Sequence, residues 1–172
     1  MNETMRPLTG EYHPYYQNYL DIVKDLNVLE LIYTQIEEVF DIFKSKDKVW
    51  ASTPYAHGKW SPKELLAHIT DTDRVMAFRA FCFARGEHAI LPGFDQDLYI
   101  AEGNFNLLTV EDLLADFAAN RKAILQMIRT IRVDQYQARG IANGTEVSVR
   151  ALIAIIPGHA AHHLRILKER YG

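Results

Sequence analysis

Two histidines four residues apart near the end of the chain, His159 and His163, have the type and spacing to hold a metal ion. On an α-helix such positions lie above one another on one face, so both imidazoles can aim at one point. In the stretch Gly158-His159-Ala160-Ala161-His162-His163-Leu164, two alanines leave room beside them. Imidazole suits zinc, nickel, copper and iron. A metal site that keeps a position for water or substrate usually takes three protein ligands, so a third must come from elsewhere. His68 is the first candidate, on the inward face of a helix with Leu65, Ile69 and Thr72; Asp71 is the next. His68 also has a plain alternative as a hydrogen-bonded core histidine. His162 can replace His163 as an i, i+3 partner, but its direction lies about 100° from that of His163. It is therefore assigned to supporting the ligands or meeting substrate. His13, His57 and His88 fall in expected loops or the N-terminal arm and read as surface residues.

Helices must position these groups. Residues 1–14, with Pro7, Gly10 and Pro14, read as an irregular arm, and Tyr15–Lys24 as a short helix with Tyr16, Tyr19, Leu20 and Val23 on one face. Leu29, Ile32, Tyr33, Ile36, Val39, Phe40 and Phe43 recur at helical spacing and predict a first long helix near Val28–Lys46. Ser61-Pro62-Lys63-Glu64 is a capping box opening a second. Leu65, His68, Ile69, Thr72, Met76 and Phe83 continue it, and Gly86 closes it. A long connection, Glu87–Leu108, precedes a third helix capped by Thr109. The turn Ala142-Asn143-Gly144-Thr145 and a short extended piece at Thr145–Val149 lead to a fourth helix, Ser148–Tyr171. Pro157 inside that helix removes a backbone donor, which predicts a kink or local widening before His159, or two shorter helices meeting there. Four amphipathic helices without convincing strand alternation specify an all-α four-helix bundle with a long crossover between its second and third helices.

The 172-residue chain, free of linkers and repeats, reads as a single domain, residues 1–172. Its net charge of −3 and lack of basic clusters argue against nucleic-acid binding. The longest purely apolar run is the six residues Ala151–Ile156, far short of a membrane span of about 20 residues. Met1–Gly10 is polar and lacks the apolar core of a secretory signal. The single cysteine, Cys82, reads as a buried small side chain. Together these features predict a reduced, cytoplasmic protein.

Three stretches resemble the DinB-like or YfiT-like four-helix-bundle family: Gly58–Ile69 with its Trp60-Ser61 helix start and His68, Leu91–Asp95, and Gly158–Leu167 with its HxxxH. The resemblance extends from about Tyr15 to Tyr171. It implies a bundle with a metal pocket at one end and a ligand triad of His68, His159 and His163. It also implies a metal-dependent hydrolase or a transferase of low-molecular-weight thiols, and a homodimer. The expected ion is divalent, zinc or nickel first, with iron or manganese as alternatives. The expected partner is a small-molecule substrate. For hydrolysis Asp71 is the candidate general base. Arg121 and Arg165 either grip a substrate carboxylate or pair with neighbouring acids, and Trp60 and Tyr99 are candidates for the pocket mouth. The reading from a different class is a non-catalytic helical bundle with a structural or vacant metal site. Structural zinc sites are normally closed by four protein ligands, and only three good ones are visible here.

Overall fold

The computed structural model describes residues 5–172; residues 1–4 of the expected arm lie outside it. Seven α-helices run through the described residues: α1 (Gln17–Val23), α2 (Val28–Phe43), α3 (Lys48–Ser52), α4 (Pro62–Ala84), α5 (Gln96–Gly103), α6 (Val110–Arg129) and α7 (Val149–Tyr171). The four long ones form the bundle. In it, α4 packs on α6 and α7, and α2 packs on the same two, so α2 and α4 stand diagonally across from each other. No helix of the described residues is long and apolar enough to cross a membrane.

The expected caps are made. Ser61 Oγ accepts from the Glu64 amide at 3.3 Å, while Glu64 Oε2 accepts from the Ser61 amide at 2.7 Å, starting α4. The Thr109 side chain caps α6 by accepting from the Asp112 amide, and Ser148, where the sequence reading only began the last helix, likewise caps α7 through the Ala151 amide. After α4 the chain turns at Gly86 with φ +83°, as a helix-terminating glycine does.

The structure adds elements to the sequence reading, the short helix α3 among them. The long connection holds the two-turn helix α5, capped by the Asp95 side chain. The extended piece before the last helix is half of a hairpin, β1 (Arg139–Ala142) paired antiparallel with β2 (Thr145–Ser148). Asn143 and Gly144 turn it with φ of 52° and 72°, the mirror-image turn that Asn-Gly favours. Strands of four residues are too short to show alternation convincingly, which is why the first was missed. The last helix is single as expected: α7 runs unbroken through Pro157, which sets aside the two-helix alternative. Proline in a helix interior costs about 3 kcal/mol. Here Leu152–Ala160 is buried at every position, and that packing offsets the loss.

The core has two apolar layers separated by a polar one. One layer contains Ile32, Met76, Ile124 and Ile156; the other contains Val39, Ile69, Phe117 and Ala160. Between them on each long helix lies one member of a buried hydrogen-bonded chain. Arg121 of α6 donates to Asp73 of α4 at 2.6 Å and to Gln35 of α2 at 2.8 Å. Gln35 in turn donates to the Pro157 carbonyl of α7 at 2.9 Å. Arg121 thus takes the second of its two expected roles, pairing with an acid. A second buried pair, Arg150 with Glu11 at 2.7 Å, fastens the irregular arm to the first turn of α7.

Candidate metal centre

His159 and His163 leave α7 one turn apart, and His68 comes from α4, the helix packed against it. Nε2 of His159 lies 3.0 Å from Nε2 of His68 and 3.0 Å from Nε2 of His163. Candidate ligand nitrogens of the three lie within 4.8 Å of one another, and no carboxylate joins the group among the described residues. Burial holds the imidazoles neutral. It lowers His68 to about 4 and, helped by its histidine neighbours, His163 to about 3. Burial likewise drives His159 well down, followed by the effect of His163 and His68.

These residues fit a divalent metal. Nδ1 of His159 and of His163 is buried without a hydrogen-bond partner among the described residues. Three neutral rings whose Nε2 atoms converge without a carboxylate form a concentrated set of electron-pair donors that a cation would satisfy. Two imidazole nitrogens on one tetrahedral ion stand about 3.3 Å apart, close to the spacing seen. Metal-binding histidines usually have the far nitrogen oriented by a carboxylate or carbonyl. Here ring packing does much of the orienting. Trp60 lies 4.6 Å from the His68 ring, Tyr19 meets His159 edge-on at 5.4 Å, and His162 meets His163 at 5.0 Å.

A cavity of about 410 Å³ opens beside His159, walled by Tyr15, Tyr16, Tyr19, Thr72, Met76, Arg79 and Phe94, with the hairpin turn at Asn143 at its edge. A smaller one of about 240 Å³ meets His163 and Trp60 on another side. Trp60 is therefore a wall residue as expected, whereas Tyr99 lines neither cavity and lies tilted against Phe94, ring centres 5.5 Å apart. Asp71 is bonded to Arg74 at 3.1 Å, and Arg74 also pairs with Asp116 of α6. Asp71 lines neither cavity. His162 faces a third hollow shared with Tyr19 and the exposed Arg165. Cys82 is half-buried rather than buried and lines neither cavity beside the triad. His57 and His88 are exposed as expected. His13 is exposed too, but it caps the turn before α1 and reaches the larger cavity.

A model of the DinB superfamily matches residues 16–167. The chain belongs to the DinB superfamily. Among its relatives is a protein of Oceanobacillus iheyensis, provisionally named a metal-dependent hydrolase, 25% identical over 142 residues and covering 81% of each chain. The fold matches that of YfiT from Bacillus subtilis with a TM-score of 0.76 at 13% identity, over 96% of this chain and 95% of that one. That protein is described as a probable metal-dependent hydrolase with an unusual four-helix bundle topology. The three-histidine cluster supports a divalent metal in this fold.

Sequence reasoning had placed Tyr16 and Tyr19 on one face of a short helix without connecting them to the site. It missed Arg79, although the stripe His68, Thr72, Met76 leads to it in steps of four, four and three residues. Gly158 explains how α1 reaches the triad. A Cβ there would stand 2.3 Å from the Tyr19 carbonyl oxygen, so the glycine lets α1 lie directly on α7. Gly158→Ala is expected to destabilise the protein by about 1–3 kcal/mol, as overpacking does. The gain of about 1 kcal/mol in helix propensity works in the opposite direction. A thermal melt reads the sign: a fall confirms the close seat of α1, and no change or a rise shows that α1 can retreat freely.

Proposed function

We propose that this chain is a metal-dependent hydrolase of small molecules, its divalent ion, zinc or nickel, held by His68, His159 and His163 with one coordination position left for water or substrate. The observation that carries the reading is the convergence of three, and not four, neutral ligand groups beside a cavity of about 410 Å³. That volume lies in the range of small-molecule sites. A divalent ion there would supply Lewis acidity, polarising a substrate oxygen and lowering the pKa of water. The chain's own residues supply shape and proton donors. Burial raises the Tyr19 hydroxyl well above its usual value, and the Tyr16 hydroxyl is raised chiefly by burial too. Both phenols therefore stay protonated and serve as donors toward charge that develops on an oxygen in the cavity. Neither serves as the base. Asp71 is kept as general base only if it leaves Arg74, while His162 flanks the triad and lies against Tyr19 at 5.3 Å.

The test is turnover of a panel of activated esters and amides by protein loaded separately with zinc, nickel, manganese or iron, with and without small thiols. Hydrolysis that follows metal content and needs no thiol is the expected result. Strict dependence on a thiol would replace hydrolysis by thiol transfer, and full occupancy without turnover on any substrate would favour a non-catalytic bundle.

A further inference from the structure

We propose that the cavity beside His159 and Arg79 binds a small organic anion, a carboxylate on an apolar body, with its charged end at Arg79 and its other end beside His159. Recognition of that anion as the substrate rests on the hydrolase reading; its binding does not.

Arg79 is only 4% exposed, yet no carboxylate lies within 4 Å of it among the described residues. The guanidinium donates to the Pro92 carbonyl at 2.7 Å and to the Met76 sulfur at 4.0 Å, and the Tyr16 hydroxyl lies beside it. The other two deeply buried arginines, Arg121 and Arg150, each have their own acid. A buried cation without a counter-ion is costly, and a guanidinium presents donors matched to a carboxylate. The cavity that Arg79 lines contains no aspartate or glutamate, so nothing in its walls repels an anion or competes for the guanidinium.

A second observation points into the same space. Thr72 Oγ1, on the cavity wall between the triad and Arg79, is buried and has no hydrogen-bond partner among the described residues. Along α4, His68 and Arg79 are eleven residues apart, or about 16 Å of helix axis. A ligand touching both ends must therefore be elongated. Its middle would run past the Thr72 hydroxyl, along walls formed by Met76, Tyr19 and Phe94.

The experiment is calorimetric titration of the purified protein with 4-phenylbutyrate and with its neutral amide, repeated on Arg79→Gln, on Arg79→Lys and on the parent stripped of metal. The acid is expected to bind the parent at least about 10-fold more tightly than the amide, the range for a hydrogen bond to a charged group. Arg79→Gln loses that preference, and the metal-free parent keeps it within about threefold. Should Arg79→Gln not fold, Arg79→Lys tests the same point. It keeps the charge without the planar fork, and its preference for the acid is expected to fall several-fold. Equal binding of acid and amide, no binding to the parent, or an undiminished preference in the variant that folds would overturn the proposal. A preference that disappears with the metal would place the carboxylate on the ion and overturn it as well. None of these results depends on turnover, so failure here and failure of the hydrolase reading are separately visible.

Discussion

Replacing either His163 or His68 by alanine is expected to empty the metal centre. Elemental analysis of the parent, purified and loaded with a divalent ion, should find about one ion per chain. Each variant should lose more than about 100-fold in affinity, beyond the 10–100-fold typical when only a supporting partner of a ligand is removed. Each contributes one of three converging Nε2 atoms, and among the described residues no carboxylate stands near enough to substitute. An unchanged metal load in both variants would show that the ion, if any, sits elsewhere. Acid should have the same effect as substitution, because the ligands bind metal only as neutral imidazoles. In the metal-free protein His68 is lowered to about 4 and His163 to about 3, each chiefly by burial, against an ordinary value of 6.5. The unfolded chain therefore binds more protons than the folded one between those values. The stability these histidines contribute is fully present above about pH 6.5 and is lost as the pH falls through 4 toward 3. Urea midpoints measured across that window should fall steeply for the parent and less steeply for His163→Ala.

Asp73→Ala is expected to cost about 3–5 kcal/mol, because it strands a guanidinium that has no access to water. For a domain of this size the melting temperature should drop by roughly 10 °C. Asp73 and Arg121 are both fully buried, and Arg121 is further held by Gln35 and stacked on Phe117 at 4.9 Å. Replacing the pair together, Asp73→Leu with Arg121→Met, should recover most of the loss, since apolar groups of similar volume can take the place of a buried ion pair. A loss under 1 kcal/mol for Asp73→Ala would show that water reaches the layer. The consequence extends to the metal centre, because this chain of bonds ends on the Pro157 carbonyl, two residues before His159. Metal affinity measured alongside the melts should weaken in Asp73→Ala and return in the double variant.

Much of the bundle is legible in the amino-acid order because its signals are local. The capping box at Ser61, the cap at Thr109, and the 3.6-residue recurrence of apolar side chains each act within a few residues. The hairpin shows the limit of that reading. Asn143-Gly144 specifies a turn, but four-residue strands carry too little alternation to be recognised, and their pairing is visible only once formed. Helix α5 was hidden likewise, since two turns with one buried residue leave no apolar stripe to read.

The metal centre divides in the same way. The i, i+4 spacing of His159 and His163 aims two imidazoles at one point wherever the helix lies, and the sequence by itself determined that. His68 is 91 residues from His159. Its role as partner rather than core histidine depended on which face of α4 meets α7, a matter of how whole helices pack. The same is true of Arg121, whose alternatives were a substrate and an acid and whose neighbour is Asp73. Tyr19 and Arg79 line the cavity beside His159 only because Gly158 admits α1 and because the hairpin folds back to wall the same space. Periodicity tells each helix which side to bury. Only tertiary structure decides what lies opposite, because packing energy is shared among many contacts and no single residue encodes its partner across the core.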